Sequence, residues 1–190
     1  MTNFDFTEFP ILTTPRLALV EIQQQHLADI FNIFSDTRVT QYYNIVTLQV
    51  LEDAQPFIDW FTLKFADKKG LRWGITLKGE DQIVGTIGIN NFTWGQKGLI
   101  GYDLRYDSWN KGYMTEAITA VTQFGFEAFG LNRIEAEVMP GNAGSEKTLL
   151  KSGFTFEGTL RQTLFFEGTW YDMNMFSLLK GDKIPVSAVI

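Results

Sequence analysis

The period of the hydrophobic positions changes several times along this chain, and each change marks a structural element. Apolar residues alternate after a Thr-Pro turn, which predicts a first strand over residues 12–22. Helical spacing then predicts helices over residues 24–34 and 48–65, and Pro56 should divide or kink the second because proline removes a helix hydrogen bond. Residues 36–46, between the two helices, are predicted to be an irregular link.

The middle of the chain predicts a three-strand meander followed by a long helix. Residues 71–77, 82–91 and 98–104 have strand periodicity and are separated by glycine-bearing turns. An apolar stripe at helical spacing predicts a helix over residues 115–129, and Gly130 is placed to end it.

The last third adds a strand, a short helix and a hairpin. Residues 134–139 have strand periodicity, and Asn142 is predicted to cap a short helix that Gly153 ends in a left-handed conformation. Residues 154–166 and 170–179 predict a hairpin. The order of strands and helices predicts a mixed α/β sheet flanked by helices.

Composition limits the class of protein. With 190 residues, 45% of them hydrophobic, the chain fits one domain with a sizeable core. No uncharged apolar run reaches about 18 residues, and the first residues lack the basic region of a signal peptide, so a cytoplasmic protein without a membrane partner is expected. The chain has no cysteine and a single histidine, His26, so a metal site is not expected.

The net charge of −6 disfavours general binding to nucleic acid, which needs clustered cations against the phosphates. A basic or amine-bearing partner agrees better with this charge. Moderate acidity is also an ordinary route to solubility, so the charge alone does not identify a substrate.

Residues 102–117 carry the strongest chemical signal. They join an apolar strand to an amphipathic helix through a turn that contains Lys111 and Gly112. Glycine permits backbone angles closed to other residues, so successive N–H groups can converge on an anion beside the positive end of the helix dipole. This layout favours phosphate binding, although for Gly112 taken alone a structural turn is the favoured explanation.

Four short motifs in order resemble one family. The segments are Thr14-Pro-Arg-Leu17, Ile100-Gly-Tyr with Trp109-Asn-Lys-Gly-Tyr-Met-Thr-Glu-Ala117, Asn142-Ala-Gly-Ser-Glu-Lys-Thr-Leu-Leu-Lys-Ser-Gly-Phe154, and Glu157-Gly-Thr-Leu-Arg161 with Asp172. Together they resemble the GNAT superfamily of N-acetyltransferases, in its ribosomal-protein (RimJ/RimL-like) branch. The resemblance covers about residues 12–180 of a single domain spanning 1–190. It implies a central mixed, twisted α/β sheet (α+β mixed) of about seven strands with about four helices.

The resemblance also implies acetyl-CoA as co-substrate. Pyrophosphate would meet the backbone of the loop after the fourth strand of the family's sheet, and pantetheine would pair with the end of that strand. The cofactor-binding residues implied in this way are Leu104, Arg105, Trp109, Asn110, Lys111, Gly112, Tyr113, Met114, Thr115, Asn142 and Lys147. Met114 replaces the family's usual small residue, and its bulk should be tolerated if the side chain points into the sheet.

The catalytic residues are only partly implied. Ser145 matches the hydroxyl that protonates the departing thiolate in the resembling branch. Family members keep a carboxylate base at positions that hold Leu99 and Leu164 here. Asp103 and Glu157 are the remaining candidates for the base, and each has a structural alternative, as a strand-edge charge and as a salt-bridged group respectively.

The resemblance therefore implies an acetyltransferase whose acceptor is a primary amine, either a protein N-terminus or a small molecule. Tyr42, Tyr43, Trp60 and Trp94 are candidates to line the acceptor cleft. The alternative is a non-catalytic module that binds acyl-CoA or a partner, because both expected carboxylates are missing. The sequence is compatible with a monomer or a homodimer.

Overall fold

The sheet begins with two short strands, so the prediction of one strand over residues 12–22 was wrong. The strands Leu12–Thr13 (β1) and Leu17–Glu21 (β2) are antiparallel neighbours. The chain turns between them, where the Thr14 N–H donates to the Leu17 carbonyl at 3.0 Å. The computed structural model describes residues 4–182; the ends of the predicted tails, residues 1–3 and 183–190, lie outside it.

The first predicted helix, over residues 24–34, is confirmed. A 3₁₀ turn at Gln24–His26 leads into Leu27–Phe34 (α1). The link predicted to be irregular holds a one-turn helix, Thr37–Thr40 (α2), which Asp36 caps by accepting from the Arg38 N–H. An Asp N-cap stabilises the start of such a turn.

The second helical segment is divided near its proline. A 3₁₀ turn at Leu51–Ala54 is followed by Gln55–Ala66 (α3), with Pro56 in the first turn of the helix. Proline is tolerated there because the first N–H groups of a helix have no intrahelical partner. The proline therefore starts a helix instead of kinking one.

The remaining elements follow the predicted order with small shifts at their ends. They are Leu71–Leu77 (β3), Ile83–Thr93 (β4), Lys97–Leu104 (β5), Tyr113–Ala128 (α4), Arg133–Val138 (β6), Ala143–Lys151 (α5), Thr155–Phe166 (β7) and Thr169–Leu179 (β8). Helix α4 starts two residues earlier than predicted because Gly112 is its N-cap, with φ 78°.

One irregularity of the sheet is important for the site. The eight strands lie in the order β1-β2-β3-β4-β5-β6-β8-β7, one more strand than the family resemblance implies, and β5 and β6 are parallel neighbours. Their pairing joins residues 97–100 to residues 133–136 and ends there. Within the described part of the chain, residues 101–104 of β5 therefore have no partner on that side. We call this gap between the ends of β5 and β6 the notch.

Local capping signals fix α5. The Asn142 side chain accepts from the Ser145 N–H at 3.2 Å, as the predicted N-cap should. At the other end Gly153 has φ 89°, and the Phe154 N–H donates back to the Leu149 carbonyl at 3.0 Å. This is the Schellman arrangement expected of a glycine just beyond a helix.

Two buried clusters hold the helices to the sheet. The larger packs α4 residues such as Ile118 and Val121 against strand residues such as Trp73. The smaller packs Ile30 of α1 against Ile58 of α3. Within residues 4–182, no helix is both long and apolar enough to cross a bilayer.

Candidate active site

The loop between β5 and α4 has left-handed backbone angles that allow its N–H groups to converge. Asn110 and Gly112 both have positive φ, 61° and 78°, which turns successive N–H groups to the same side. Helix α4 follows immediately, and the N–H groups of Tyr113, Met114 and Thr115 lie in its first turn, where a helix has no acceptors of its own. These backbone angles and the helix start are what the predicted phosphate-binding loop requires.

Arg16 braces the loop from the N-terminal motif. Its Nη1 donates to the Lys111 carbonyl at 2.9 Å, and its Nε donates to Glu116 Oε2 at 2.7 Å. Thr14 Oγ1 donates to the other Glu116 oxygen at 2.6 Å. Burial raises the pKa of Glu116, but the hydrogen bonds from Thr14 and Arg16 outweigh it and hold the pKa below its usual range. The Thr-Pro-Arg motif thus fixes the start of α4.

Some side chains of this segment pack or bond within the protein, and others are exposed to solvent. Met114 is buried in the larger cluster, which is the condition under which its bulk can be tolerated at this position. Trp109 Nε1 donates to the Leu104 carbonyl at 2.6 Å, which closes the end of β5. Lys111 is exposed. Arg105 donates its N–H to the Val84 carbonyl of β4 at 2.8 Å, so this donor is directed away from the notch.

The bond from Arg105 to Val84 fixes which backbone groups of β5 face the notch. Because N–H and C=O groups alternate in direction along a strand, those of Tyr102 and Leu104 point away from β4, towards the side that β6 has left. The Leu104 carbonyl already accepts from Trp109, so a ligand amide can pair with the Tyr102 groups and the Leu104 N–H as an extra strand would.

Two hydroxyls meet beside the notch. Tyr102 Oη and Ser145 Oγ are 2.7 Å apart, and Ser145 is the third residue of α5. Burial raises the pKa of Tyr102, so its hydroxyl stays protonated. The pair can pass a proton to a group in the notch. Lys147, further along α5, is exposed and lies outside this pair.

Asp103 is buried in an ion pair. Arg72 Nη2 donates to its Oδ2 at 2.6 Å, and Thr86 donates to it from both Oγ1, at 2.7 Å, and N, at 3.1 Å. Burial raises the pKa of Asp103, and the bonds from Arg72 and Thr86 act in the opposite direction. All these donors come from β3 and β4, so the carboxylate is tied to its own sheet.

Two glycines make room for Arg72. The guanidinium crosses β4 and reaches β5, where its Nη1 donates to the Gly101 carbonyl at 3.0 Å. A Cβ on Gly88 would stand 2.8 Å from Arg72 Cδ, and one on Gly101 would stand 3.2 Å from Arg72 Nη1. A Cβ on Gly101 would also stand 2.6 Å from Asn90 Nδ2, so the glycine of the Ile100-Gly-Tyr triplet leaves room for both the Asn90 amide and the Arg72 guanidinium.

Glu157, the other candidate base, lies away from the notch. Its carboxylate accepts from Arg133 Nη1 at 2.7 Å and from Ser177 Oγ at 2.6 Å. The hydrogen bonds from Arg133 and Ser177 lower the pKa of Glu157 to about 2. Arg133 is opposite Lys97, at the paired end of β5, whereas the notch opens beyond residue 100. Glu157 is salt-bridged, as its structural alternative predicts, but its partner is Arg133 and not the nearby Arg161.

A cleft of about 420 Å³ opens between the early helices and the last hairpin. Tyr43 lines it, together with neutral polar residues that include Thr37, Thr40 and Gln41. The opposite wall includes Met139, Phe166 and Tyr171. Glu167, in the β7–β8 turn, is the one residue with a formal charge among those that line it.

Of the four aromatic residues suggested for this cleft, Tyr43 alone is among its lining residues. Tyr42 lies near Gly141, and Trp60 packs beside Phe61 on α3. Trp94 packs at the far end of the sheet, with its ring centroid 5.2 Å from that of Phe129.

Sequence reasoning missed Arg72, and it assigned no role to Arg16 although that residue lies in the Thr14-Pro-Arg-Leu17 motif. Arg72 interrupts an otherwise apolar strand, and a charged residue within a buried strand signals a buried partner. The partner, Asp103, is 31 positions away along the chain. Spacing along the chain gives no sign of this pairing.

Comparisons with known proteins agree with this geometry. The family model described as acetyltransferase (GNAT) domain matches residues 16–155. "Uncharacterized N-acetyltransferase YoaA" of Bacillus subtilis is 39% identical over 173 residues, which cover 90% of this chain and 98% of that protein. The "[Ribosomal protein uS5]-alanine N-acetyltransferase" of Escherichia coli is 30% identical over 115 residues, 60% of this chain and 59% of its own length.

The fold is also found among solved structures. Mycobacterium smegmatis RimJ, determined in complex with CoA-disulfide, superimposes with a TM-score of 0.77 at 23% identity, covering 86% of this chain and 82% of that one. The family match spans most of the chain and includes the loop, the notch and α5 up to its C-terminal cap. The chain therefore belongs to the GNAT family and is an N-acetyltransferase.

Proposed function

We propose that this chain transfers the acetyl group of acetyl-CoA to a primary amine by direct attack of the amine on the thioester. The observation that carries the proposal is the Ser145–Tyr102 hydroxyl pair, 2.7 Å apart, beside a notch whose open end meets the Gly112 loop. CoA carries its pyrophosphate, pantetheine amides and sulfur in that order. In this proposal they bind, in the same order, to the Gly112 loop, the edge of β5 and the Ser145–Tyr102 pair.

The residues present fit acetyl-CoA. Backbone N–H groups from Asn110 to Thr115 would bind the pyrophosphate, and the edge of β5 at Tyr102 and Leu104 would pair with pantetheine. Asn142 would order the N-terminus of α5 at the thioester end. Trp109 supports the loop through its bond to Leu104. Exposed Lys111 and Lys147 would reach outer phosphates.

Proton transfer has two parts in this proposal. Ser145 protonates the departing thiolate, with Tyr102 as its hydrogen-bond partner. Asp103 remains the predicted carboxylate on the acceptor side, and Glu157 remains the second candidate. Because Arg72 and Thr86 hold Asp103, its proposed effect on the amine is exerted from within a charged network.

Asp103→Asn is therefore expected to cost roughly 10- to 100-fold in turnover near neutral pH. It also leaves the buried Arg72 charge unpaired, so a lower Tm is expected. The activity of the unmodified protein should rise with pH towards the pKa of the acceptor amine. Rates should be normalised to the folded fraction. Unchanged turnover together with an unchanged pH–rate profile would exclude Asp103 as the relay.

The acceptor binds, in this proposal, in the cleft between α2 and the β7–β8 hairpin. Its walls are neutral, and Glu167 adds one negative charge, so a neutral or cationic amine is accommodated better than an anionic one. A protein N-terminus agrees with the acceptor named for the E. coli relative, and a small amine agrees with the cleft volume of about 420 Å³.

Glu167→Lys is expected to raise KM for a cationic acceptor by roughly three- to ten-fold, the range for reversing one exposed charge contact. The KM for acetyl-CoA should stay the same. Glu80→Lys makes the same charge change in the exposed β3–β4 turn and is the matched control. Equal KM values for the two variants with a diamine would show that Glu167 does not read acceptor charge.

Steady-state turnover of acetyl-CoA against a panel of amines, followed by thiol detection, tests the proposed function. We expect amine-dependent thiol release. Measurable CoA affinity without turnover on any amine would instead favour a non-catalytic acyl-CoA-binding module, the alternative that the missing carboxylates suggest.

A further inference from the structure

Tyr43 lies at the junction of the cleft and the notch. It lines the cleft, and its ring packs against Phe34 with the centroids 6.0 Å apart. Its hydroxyl oxygen is 3.0 Å from Arg72 Nη2, and Nη1 of the same guanidinium is 3.0 Å from the Gly101 carbonyl. Gly101 is the first β5 residue beyond the pairing with β6. One guanidinium therefore links the Tyr43 hydroxyl to the entrance of the notch.

The hydroxyl has hydrogen-bonding capacity to spare. Arginine only donates, so the Tyr43 oxygen accepts this bond and uses one of its lone pairs. Within residues 4–182 the Tyr43 hydroxyl proton has no acceptor. The second lone pair and the proton can both serve a molecule in the cleft.

We propose that Tyr43 is the proton-transfer residue for the acceptor amine, standing in for the carboxylates that Leu99 and Leu164 replace. This inference rests on the proposed function. As the new N–C bond forms, a proton on the amine nitrogen passes to the Tyr43 oxygen, and the Tyr43 proton passes to water in the cleft. As the C–S bond breaks, the sulfur takes the Ser145 proton. One proton thus leaves nitrogen and one reaches sulfur, and the pair Ser145–Tyr102 regains its proton from water.

The charges around Tyr43 favour a hydroxyl that passes a proton on over a phenolate that is already deprotonated. Burial raises the pKa of Tyr43, so the hydroxyl is neutral before the reaction. Arg72 on β3 donates to its oxygen and thereby favours departure of the Tyr43 proton to water as the amine proton arrives. Asp103 on β5 offsets part of that positive charge, and Tyr102 is the neighbouring phenol on the same strand. From the hairpin, Tyr171 and Glu167 face the same cleft.

Asp103 then acts as a positioning residue. Both of its oxygens accept from Arg72 or Thr86, and it holds the guanidinium at the angle that meets Tyr43. Tyr43 is among the residues that line the cleft, whereas Asp103 is not among them and its side chain is 1% exposed. A proton leaving an amine in the cleft therefore reaches Tyr43 before it can reach Asp103.

Tyr43→Phe tests this directly because it keeps the ring and removes only the hydroxyl. We expect kcat to fall by about 100-fold near neutral pH, while the Kd for acetyl-CoA stays within about two-fold. The deficit should shrink as pH rises, and added imidazole should restore part of the rate of the variant but not raise that of the unmodified protein. Tyr42→Phe removes the hydroxyl of the adjacent tyrosine, outside the cleft lining, and is the matched control.

The outcomes separate the two proposals. If the unmodified protein acetylates no amine, the proposed function fails. If it is active and Tyr43→Phe has the same kcat, or a deficit that is constant with pH and insensitive to imidazole, Tyr43 is not the proton acceptor. A pH-dependent deficit confined to Asp103→Asn would assign the transfer to the carboxylate instead.

Discussion

Replacing Gly112 with aspartate is expected to weaken acetyl-CoA binding by roughly 100-fold, or about 2.7 kcal/mol. Two effects add. The residue has φ 78°, which is strained for a residue with a Cβ, and the new side chain would meet Arg16 Nη2 at 3.3 Å and disturb the brace under the loop. The added carboxylate would also repel the pyrophosphate at this loop. Calorimetry with CoA measures the loss.

Gly79→Asp is the matched control for this variant. Gly79 also has positive φ, 84°, and no other atoms lie within 4 Å of its added Cβ, so the substitution adds the same charge and similar backbone strain in a remote turn. Its CoA affinity should equal that of the unmodified protein. Equal affinities for the Gly112 variant and this control, with both folded, would contradict pyrophosphate binding at this loop.

Ser145→Ala is expected to lower kcat by about 100-fold, near the low end for one positioned proton donor. The Kd for acetyl-CoA should change little, because the proton is needed only as charge develops on sulfur. The remaining Tyr102 hydroxyl, which loses a partner 2.7 Å away, sets the residual rate. Steady-state kinetics and calorimetry on the same sample separate the two quantities.

Ser152→Ala controls for loss of a hydroxyl from the same helix. Ser152 caps the other end of α5, where its Oγ donates to the Thr148 carbonyl at 2.9 Å. A small fall in stability with unchanged kcat is expected. If Ser145→Ala alters only the Kd for acetyl-CoA, the residue is a binding contact and not the donor to the thiolate.

Structure was predicted best from the sequence where the residues that determine a cap or a turn lie within one short segment. Asn142 and Gly153 cap α5 through bonds that span a few residues, and Gly112 adopts its φ because its own turn requires it. The hairpin turn at Glu167 and Gly168 has two positive φ values, which glycine-bearing two-residue turns favour. Such local rules can be read without knowing the fold.

The prediction was weaker where contacts join distant residues. At the split between β1 and β2, Thr14 also binds Glu116, which is 102 positions away along the chain. The network of Arg72, Asp103 and Tyr43 joins three separate elements, and its only sign in the sequence is one charged residue in a buried strand. The position of Glu157 likewise depends on the order of β6, β8 and β7 in the sheet.

Single-turnover reaction of the protein with acetyl-CoA and an amine acceptor tests the central claim most directly, with released thiol and acetylated amine measured in one sample. We predict one thiol released for each amine acetylated, and a rate that falls about 100-fold in Ser145→Ala. Thiol release that is independent of the amine, or acetylated amine formed at the same rate by the unmodified protein and Ser145→Ala, would contradict the account.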